Sequence, residues 1–207
     1  MAFLIKSAAI DREYDPPGYL PFPSVLRKKM SFSGLFLLVL ILCLSFASPR
    51  ELHAGPLHAG EYQVKAAFLL NFAKFVEWPS GQAKDIFTIG VLGQDPFDGA
   101  LDSLSGKTVK GKRVVVRMYE ESDEAREADI LFISASEKRA LPRILRSIRG
   151  NSILTVGDSK DFGRSGVIIN LLLLQKRVGF EINLAAAQRD GLQISSNLLK
   201  LAQEVIE

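Results

Sequence analysis

Histidine, cysteine and the acidic side chains are what this chain has for chemistry, and their placement limits it. The only histidines, His53 and His58, fall in a tandem echo, Leu52-His53-Ala54-Gly55 and Leu57-His58-Ala59-Gly60, joined by Pro56. Glu51 and Glu61 are the nearest acids and no cysteine stands beside them, so a metal site there would be poorly supplied with ligands. The single cysteine is Cys43, inside an apolar run. With neither histidine nor cysteine after His58, a Ser-His-Asp or Cys-His nucleophilic site cannot be assembled in the body of the chain. Two acidic pairs remain, Asp95 with Asp98 and Asp158 with Asp161. Such pairs can do acid–base work or hold a hard cation, yet aspartates in turn-like sequence ordinarily close turns and cap helices. Gly90, Gly93 and Gly99 have the wrong spacing for a phosphate loop, and no Gly-Lys-Ser/Thr follows a strand. Phosphotransfer of the receiver type needs an aspartate after the central strand, where Ser134 stands. An enzymatic reading would start from Asp158, Asp161 and Arg177, and no pattern here asks for a cofactor or a metal.

What is left points to binding. Lys74 and Glu77 lie on a narrow polar strip near Trp78, with Leu70 among them; Arg177 and Glu181 lie on a late hairpin. The run Val167 to Leu174 is too apolar for a half-exposed edge strand, which makes Val167, Ile169 and Leu173 candidates for a covered surface. Its ordinary reading is a mid-sheet strand buried within the monomer. Arg177 and Glu181 can equally be an exposed cross-strand pair, and Asn71 a buried amide bonded to backbone. The candidate partner- or ligand-binding set is therefore Leu70, Lys74, Glu77, Trp78, Val167, Ile169, Leu173, Arg177 and Glu181.

The elements that must position these residues are legible in outline. Glu61 to Pro79 reads as one helix with Val64, Ala67, Phe68, Asn71, Phe72, Phe75 and Trp78 on a broad face, flanked by Leu69 and Val76. Gln63, Lys74 and Glu77 line the opposite strip, and Trp78-Pro79 stops the helix. Ile86 to Leu92 reads as a strand, Gly93 to Pro96 as a turn, and Phe97 to Leu104 as a short helix. Around Gly111, Lys107 to Val109 and Lys112 to Met118 read as β structure. Glu120 to Glu127 reads as a solvated helix, and Asp129 to Ile133 as a strand buried on both faces. Ser136 is placed to cap a helix ending around Ile148 to Gly150, and Ile153 to Val156 is the next buried strand. Val167 to Leu174 and Val178 to Ile182, too close for a helical crossover, form an antiparallel hairpin. Asn183 to Arg189, a break at Gly191, and a helix from Ser195 or Ser196 close the chain. The expectation is an α/β fold: three layers, a mainly parallel sheet flanked by helices, and a late antiparallel β-hairpin.

The ends set the organisation. Arg27-Lys28-Lys29, the apolar run Leu35 to Phe46, and small residues at Ser45 and Ala47 make 25–47 a cleaved secretory signal peptide, too short an apolar core to span a bilayer comfortably. Leu42 before Cys43 disfavours a lipoprotein signal. Residues 1–24 read as an upstream extension from a start site set too early, 48–60 as a flexible lead-in, and 61–207 as a single domain. The segment to Ala47 carries Lys6, Arg12, Arg27, Lys28 and Lys29 against Asp11, Glu13 and Asp15, so the formal charge of +3 largely leaves with it. A nucleic-acid partner has no electrostatic basis. Cys43 leaves too, so stability must come from the core.

Val64 to Pro79 resembles the opening helix of the YfiR-like periplasmic proteins. The resemblance continues through Val91-Leu92-Gly93, Asp95-Pro96-Phe97, Leu131 to Ser134, Leu154-Thr155-Val156, Arg177-Val178, Phe180 to Asn183 and Gly191 to Ser196. It implies a periplasmic, non-enzymatic regulator that binds the periplasmic sensor part of an inner-membrane signalling enzyme. That enzyme is typically a diguanylate cyclase, with a histidine kinase as the other receptor to consider. Sequestering the sensor would hold the cyclase inactive and lower cyclic di-GMP, the signal for biofilm production. The resemblance also implies a homodimer. Cysteine pairs common in that family are missing here, so redox switching does not carry over. The second reading is a periplasmic small-molecule sensor or solute-binding domain, its ligand near the strand ends.

Overall fold

The computed structural model describes residues 56–79 and 84–207, with side chains from Gly60 onward. The expected extension 1–24, the signal peptide 25–47, most of the lead-in and the His53 and His58 side chains lie outside the described residues.

Helix α1 (Pro56–Phe75) starts earlier than expected, so the end of the presumed lead-in is helical; a proline in the first turn costs no hydrogen bond and presets the backbone. It also stops sooner. Val76–Glu77 (β1) pairs antiparallel with Gln193–Ile194 (β9), and Ser195 N–H donates to Phe75 C=O at 2.9 Å. Pro79 biases Trp78 toward extended backbone, and the strand pairing takes the two preceding residues with it.

Among the described residues the main sheet has eight strands: β2 (Ile86–Leu92), β3 (Thr108–Val109), β4 (Lys112–Tyr119), β5 (Ile130–Ile133), β6 (Leu154–Gly157), β7 (Ile169–Leu174), β8 (Arg177–Asn183) and β10 (Glu204–Ile206). Their order is β10-β8-β7-β6-β5-β2-β4-β3. The run β4-β2-β5-β6-β7 is parallel throughout, in the doubly wound order with a switch between β2 and β5. The expected hairpin is there as β7 and β8, antiparallel, and β10 adds a parallel edge strand that the sequence did not advertise. Period-two alternation divides the core. Ile130 and Phe132 face α1, whereas Leu131 and Ile133 face helix α2 (Leu141–Ser147). Helices α3 (Leu184–Arg189) and α4 (Ser196–Leu201) join α1 on its side, giving the three layers.

Three local expectations are corrected. The charged segment yields only a 3-10 turn at Glu124–Glu127. The short helix after the Asp95 turn is likewise a 3-10 turn, Ala100–Leu104. Ser136 does not cap α2: its hydroxyl donates to Glu137 Oε1 and accepts from Gln94 N–H, and α2 begins at Leu141, where Pro142 presets the first turn.

The face of α1 is also rotated from the expected one. Lys65, Ala66, Leu69, Phe72, Ala73 and Val76 are buried, whereas Val64, Ala67 and Asn71 are exposed. Small Ala66 and Ala73 let the helix approach the sheet closely, and Phe68 and Phe72 pack edge-on to Phe180 with centroids 5.8 and 5.2 Å away. Asn71 is not a buried amide; its Oδ1 accepts from Lys74 Nζ at 3.1 Å.

Candidate interaction groove

The hairpin outruns the core. Ile169, Asn170 and Leu171 are buried, Leu172 is half-buried, and Leu173 and Leu174 are exposed; on the return strand Arg177 is exposed and Val178 half-buried. Leu173 sits opposite Val178, and Leu174 opposite Arg177. The two-residue turn places Gln175 and Lys176 at φ 48° and 66°, the left-handed pair that a tight hairpin needs and that asparagine and glycine usually supply. A side chain there is strained, so the turn presents Lys176 at a conformational cost.

Facing the tip is the start of α1. Gly60, Glu61 and Val64 on the helix, with Leu173, Lys176, Arg177 and Val178 on the hairpin, line a groove of about 610 Å3. Val64 is 46% exposed and Leu173 55% exposed, an uncommon state for two aliphatic residues lining one concavity. Lys176, Arg177 and Glu61 supply its charge.

A buried polar cluster behind the groove anchors its helical wall. Lys65, only 4% exposed, lies 2.6 Å from Glu61 Oε1 and 2.7 Å from Asp158 Oδ2, which also accepts the Tyr62 hydroxyl at 2.8 Å. Lys65 Nζ stands 4.2 Å from the Tyr62 ring centroid, and Tyr62 packs edge-on against Phe97 at 5.3 Å. Burial pushes the Tyr62 pKa well up, and the neighbouring Asp158 carboxylate, its hydrogen bond and Glu61 push the same way. Tyr62 therefore stays protonated as a donor. Asp158 follows directly on β6, so the cluster fastens α1 over the carboxyl ends of the strands, where open α/β sheets commonly take ligands. At the switch point itself, a Cβ on Gly93 would collide with Ser136 Oγ and Glu137 Oε1. Those two side chains therefore stand close against the backbone at Gly93.

The sequence candidates divide. Leu173 and Arg177 meet in the groove. Val167 and Ile169 are fully buried and belong to the core, which is the monomer-burial reading of that run for its first half. Glu181 is buried as well, its Oε1 accepting from Asn170 Nδ2 at 2.9 Å. It is no cross-strand partner of Arg177: both lie on β8, opposite Asn170 and Leu174. Leu70 and Lys74 lie toward the other end of α1, and Glu77 and Trp78 lie past its last residue, Phe75. There Leu70 is half-buried against the core, Lys74 and Glu77 are exposed, and Trp78 packs edge-on to Phe87 at 5.3 Å. Lys110 Nζ lies 5.5 Å from the Trp78 ring centroid and donates to Val76 C=O at 2.5 Å. The acidic pairs dissolve into turns and anchors. Asp95 Oδ1 accepts from Phe97 N–H, Asp98 and Asp161 have positive φ, and Asp158 is taken by Lys65 and Tyr62. Among the described residues no group of His, Cys, Asp and Glu could hold a metal ion.

Sequence reasoning missed Glu61, Val64, Lys176 and Val178. Lys65 did carry a signal: a lysine between Val64 and Ala66 on a helix that must pack into a core needs a buried partner.

A family model described as YfiR/HmsC-like matches residues 62–203, from the anchored tyrosine to just past the last helix. The chain belongs to the YfiR/HmsC-like family. At family level these proteins are regulatory rather than catalytic, periplasmic, and act on diguanylate cyclases. No helix among the described residues of this YfiR/HmsC-like chain is long and apolar enough to cross a membrane. Two solved structures are distantly similar. One is an ABC domain in complex with L-Trp from Streptococcus pneumonia, the other a conserved domain protein from Vibrio cholerae O1 biovar El Tor str. N16961. Each is 13% identical, with a TM-score of 0.47 over 70% of this chain and 60% of its own. The chain thus spans about 60% of the length of those proteins.

Proposed function

We propose that this protein represses an inner-membrane diguanylate cyclase by binding the cyclase's periplasmic sensor part in the groove between α1 and the β7–β8 tip. The observation that carries the reading is the pair of exposed aliphatic side chains, Val64 and Leu173, lining one concavity beside Lys176 and Arg177, in a chain whose family is regulatory. The occupant is an apolar segment of the sensor flanked by acidic residues, the apolar part covering Val64 and Leu173 and the acids meeting Lys176 and Arg177. Repression follows if the groove fits the inactive sensor better, because a ligand moves an equilibrium only through its differential affinity; a near-complete shift takes about 5.5 kcal/mol of preference. The regulator is exported through a signal peptide at 25–47, works through the domain 61–207, and acts as a homodimer.

The test is affinity capture from native membranes, with the wild-type protein and its Leu173→Glu and Val64→Glu variants as baits, alongside cellular cyclic di-GMP. Capture of a membrane cyclase by the wild type, weakened at least tenfold in both variants with cyclic di-GMP rising, is the expected result. Folding is preserved, since both side chains are already exposed. A histidine kinase in place of the cyclase would replace the partner. Undiminished capture and repression by both variants would remove the groove from the reading.

A further inference from the structure

The opposite edge of the sheet, where β6 and β7 begin and β8 and β10 end, carries a cleft of different character. It has a volume of about 430 Å3 and is lined by Arg146, Arg149, Arg164 and Arg189. These come from separate stretches: Arg146 from the last turn of α2, Arg149 just beyond it, Arg164 from the turn before β7, and Arg189 from the end of α3. Arg164 is paired with Glu204 at 2.6 Å. Among the described residues the guanidinium groups of Arg146, Arg149 and Arg189 have no carboxylate or hydrogen-bond partner. A cation at a helix C-terminus is favourable in itself, which accounts for Arg146 and Arg189 singly. It does not require charges from three parts of the chain to converge on one concavity, where like charges repel and the field is focused.

A second observation comes from Asp190. It lines the same cleft, and its Oδ1 is buried without a hydrogen-bond partner among the described residues. A buried carboxylate oxygen left unpaired is costly, and a donor arriving from outside the chain would satisfy it. Glu207 also lines the cleft, so an anion would sit on the arginine side.

We infer that this cleft binds a small phosphate ester bearing a hydroxyl group, the arginine forks taking the phosphate oxygens and the ligand hydroxyl donating to Asp190. Arginine suits this because its planar fork matches phosphate oxygens in pairs. The same chemistry occurs in a free phosphate ester and in a glycerophosphate lipid headgroup. The site is independent of the groove at the other edge.

The experiment is titration calorimetry of the purified protein with glycerol 3-phosphate and with sulfate, which has no donor at neutral pH. Co-sedimentation with phosphatidylcholine vesicles, with and without phosphatidylglycerol, runs alongside. The expected result is saturable binding of glycerol 3-phosphate that weakens with salt and at least tenfold in the Arg149→Ala/Arg189→Ala double variant. Arg149→Lys, which keeps charge and loses the fork, falls between. Asp190→Ala erases the preference for glycerol 3-phosphate over sulfate. Binding of the free ester alone assigns a soluble ligand, and pelleting with phosphatidylglycerol alone assigns a lipid headgroup; both support the site. Unchanged thermal unfolding of the exposed arginine variants separates loss of binding from loss of fold. No binding of either probe at millimolar concentration, or binding indifferent to the double arginine variant, overturns it.

Discussion

Lys65 is the residue on which the groove's helical wall depends. A lysine buried in an otherwise apolar helix face is stable only if its charge is met, and Glu61 and Asp158 meet it from the same helix and from the end of β6. Tyr62 completes the cluster as a donor to Asp158, and its raised pKa has a consequence for stability. A group whose folded pKa lies above its ordinary 10.0 contributes stability that is present below that pH and lost as pH rises, because the unfolded chain then releases the proton first. The free energy of unfolding is therefore expected to fall above about pH 10 in urea titrations at successive pH values. Tyr119, pushed up by burial against the opposing charge of Arg117, adds to that decline. Tyr62→Phe should cost about 2 kcal/mol at neutral pH, as for a lost hydrogen bond to a charged group, and should flatten the alkaline limb without abolishing it.

At the scale of elements, the hairpin trades stability for presentation. Its register is fixed by buried Ile169 and Leu171 at one end, while the turn holds two non-glycine residues in the left-handed region. Lys176→Gly should raise stability by about 1 kcal/mol, because glycine adopts that backbone without the Cβ clash. The same change removes a rim charge, so partner capture should weaken. A variant that is stabilised and captures as well as the wild type would assign Lys176 no part in the groove. That the hairpin exists was legible from two β runs too close for a crossover. Which half of its apolar run is exposed was not, because exposure depends on how far α1 reaches over it.

For the whole molecule, the cluster fastens the longest of the described helices to the middle of the sheet. Asp158→Ala removes that fastening and leaves Lys65 with Glu61 alone, so it should destabilise the fold by roughly 3 kcal/mol. The check is a urea unfolding midpoint that falls with an unchanged slope, the mark of lower stability in a chain that still unfolds as one unit. The sheet that receives α1 has its two working edges at opposite ends of its strands. The apolar groove lies at one and the arginine cleft at the other, so the two can be perturbed separately.

The sequence alone determined where most strands lie along the chain, the hairpin, the three-layer α/β class, and an inventory with no histidine or cysteine after His58 for a nucleophilic triad. Each of these is written in contiguous residues: period-two runs, turn chemistry, an inventory of side chains. Tertiary structure decided which face of α1 is buried, since a helix apolar most of the way round sets its face only loosely and the sheet beneath it chooses the rotation. It decided the partner of Lys65, 93 positions away in the chain, and the meeting of Val64 with Leu173 and of Arg146 with Arg189. Burial and charge pairing are relations between distant residues, so they become readable only once the strands have taken their order.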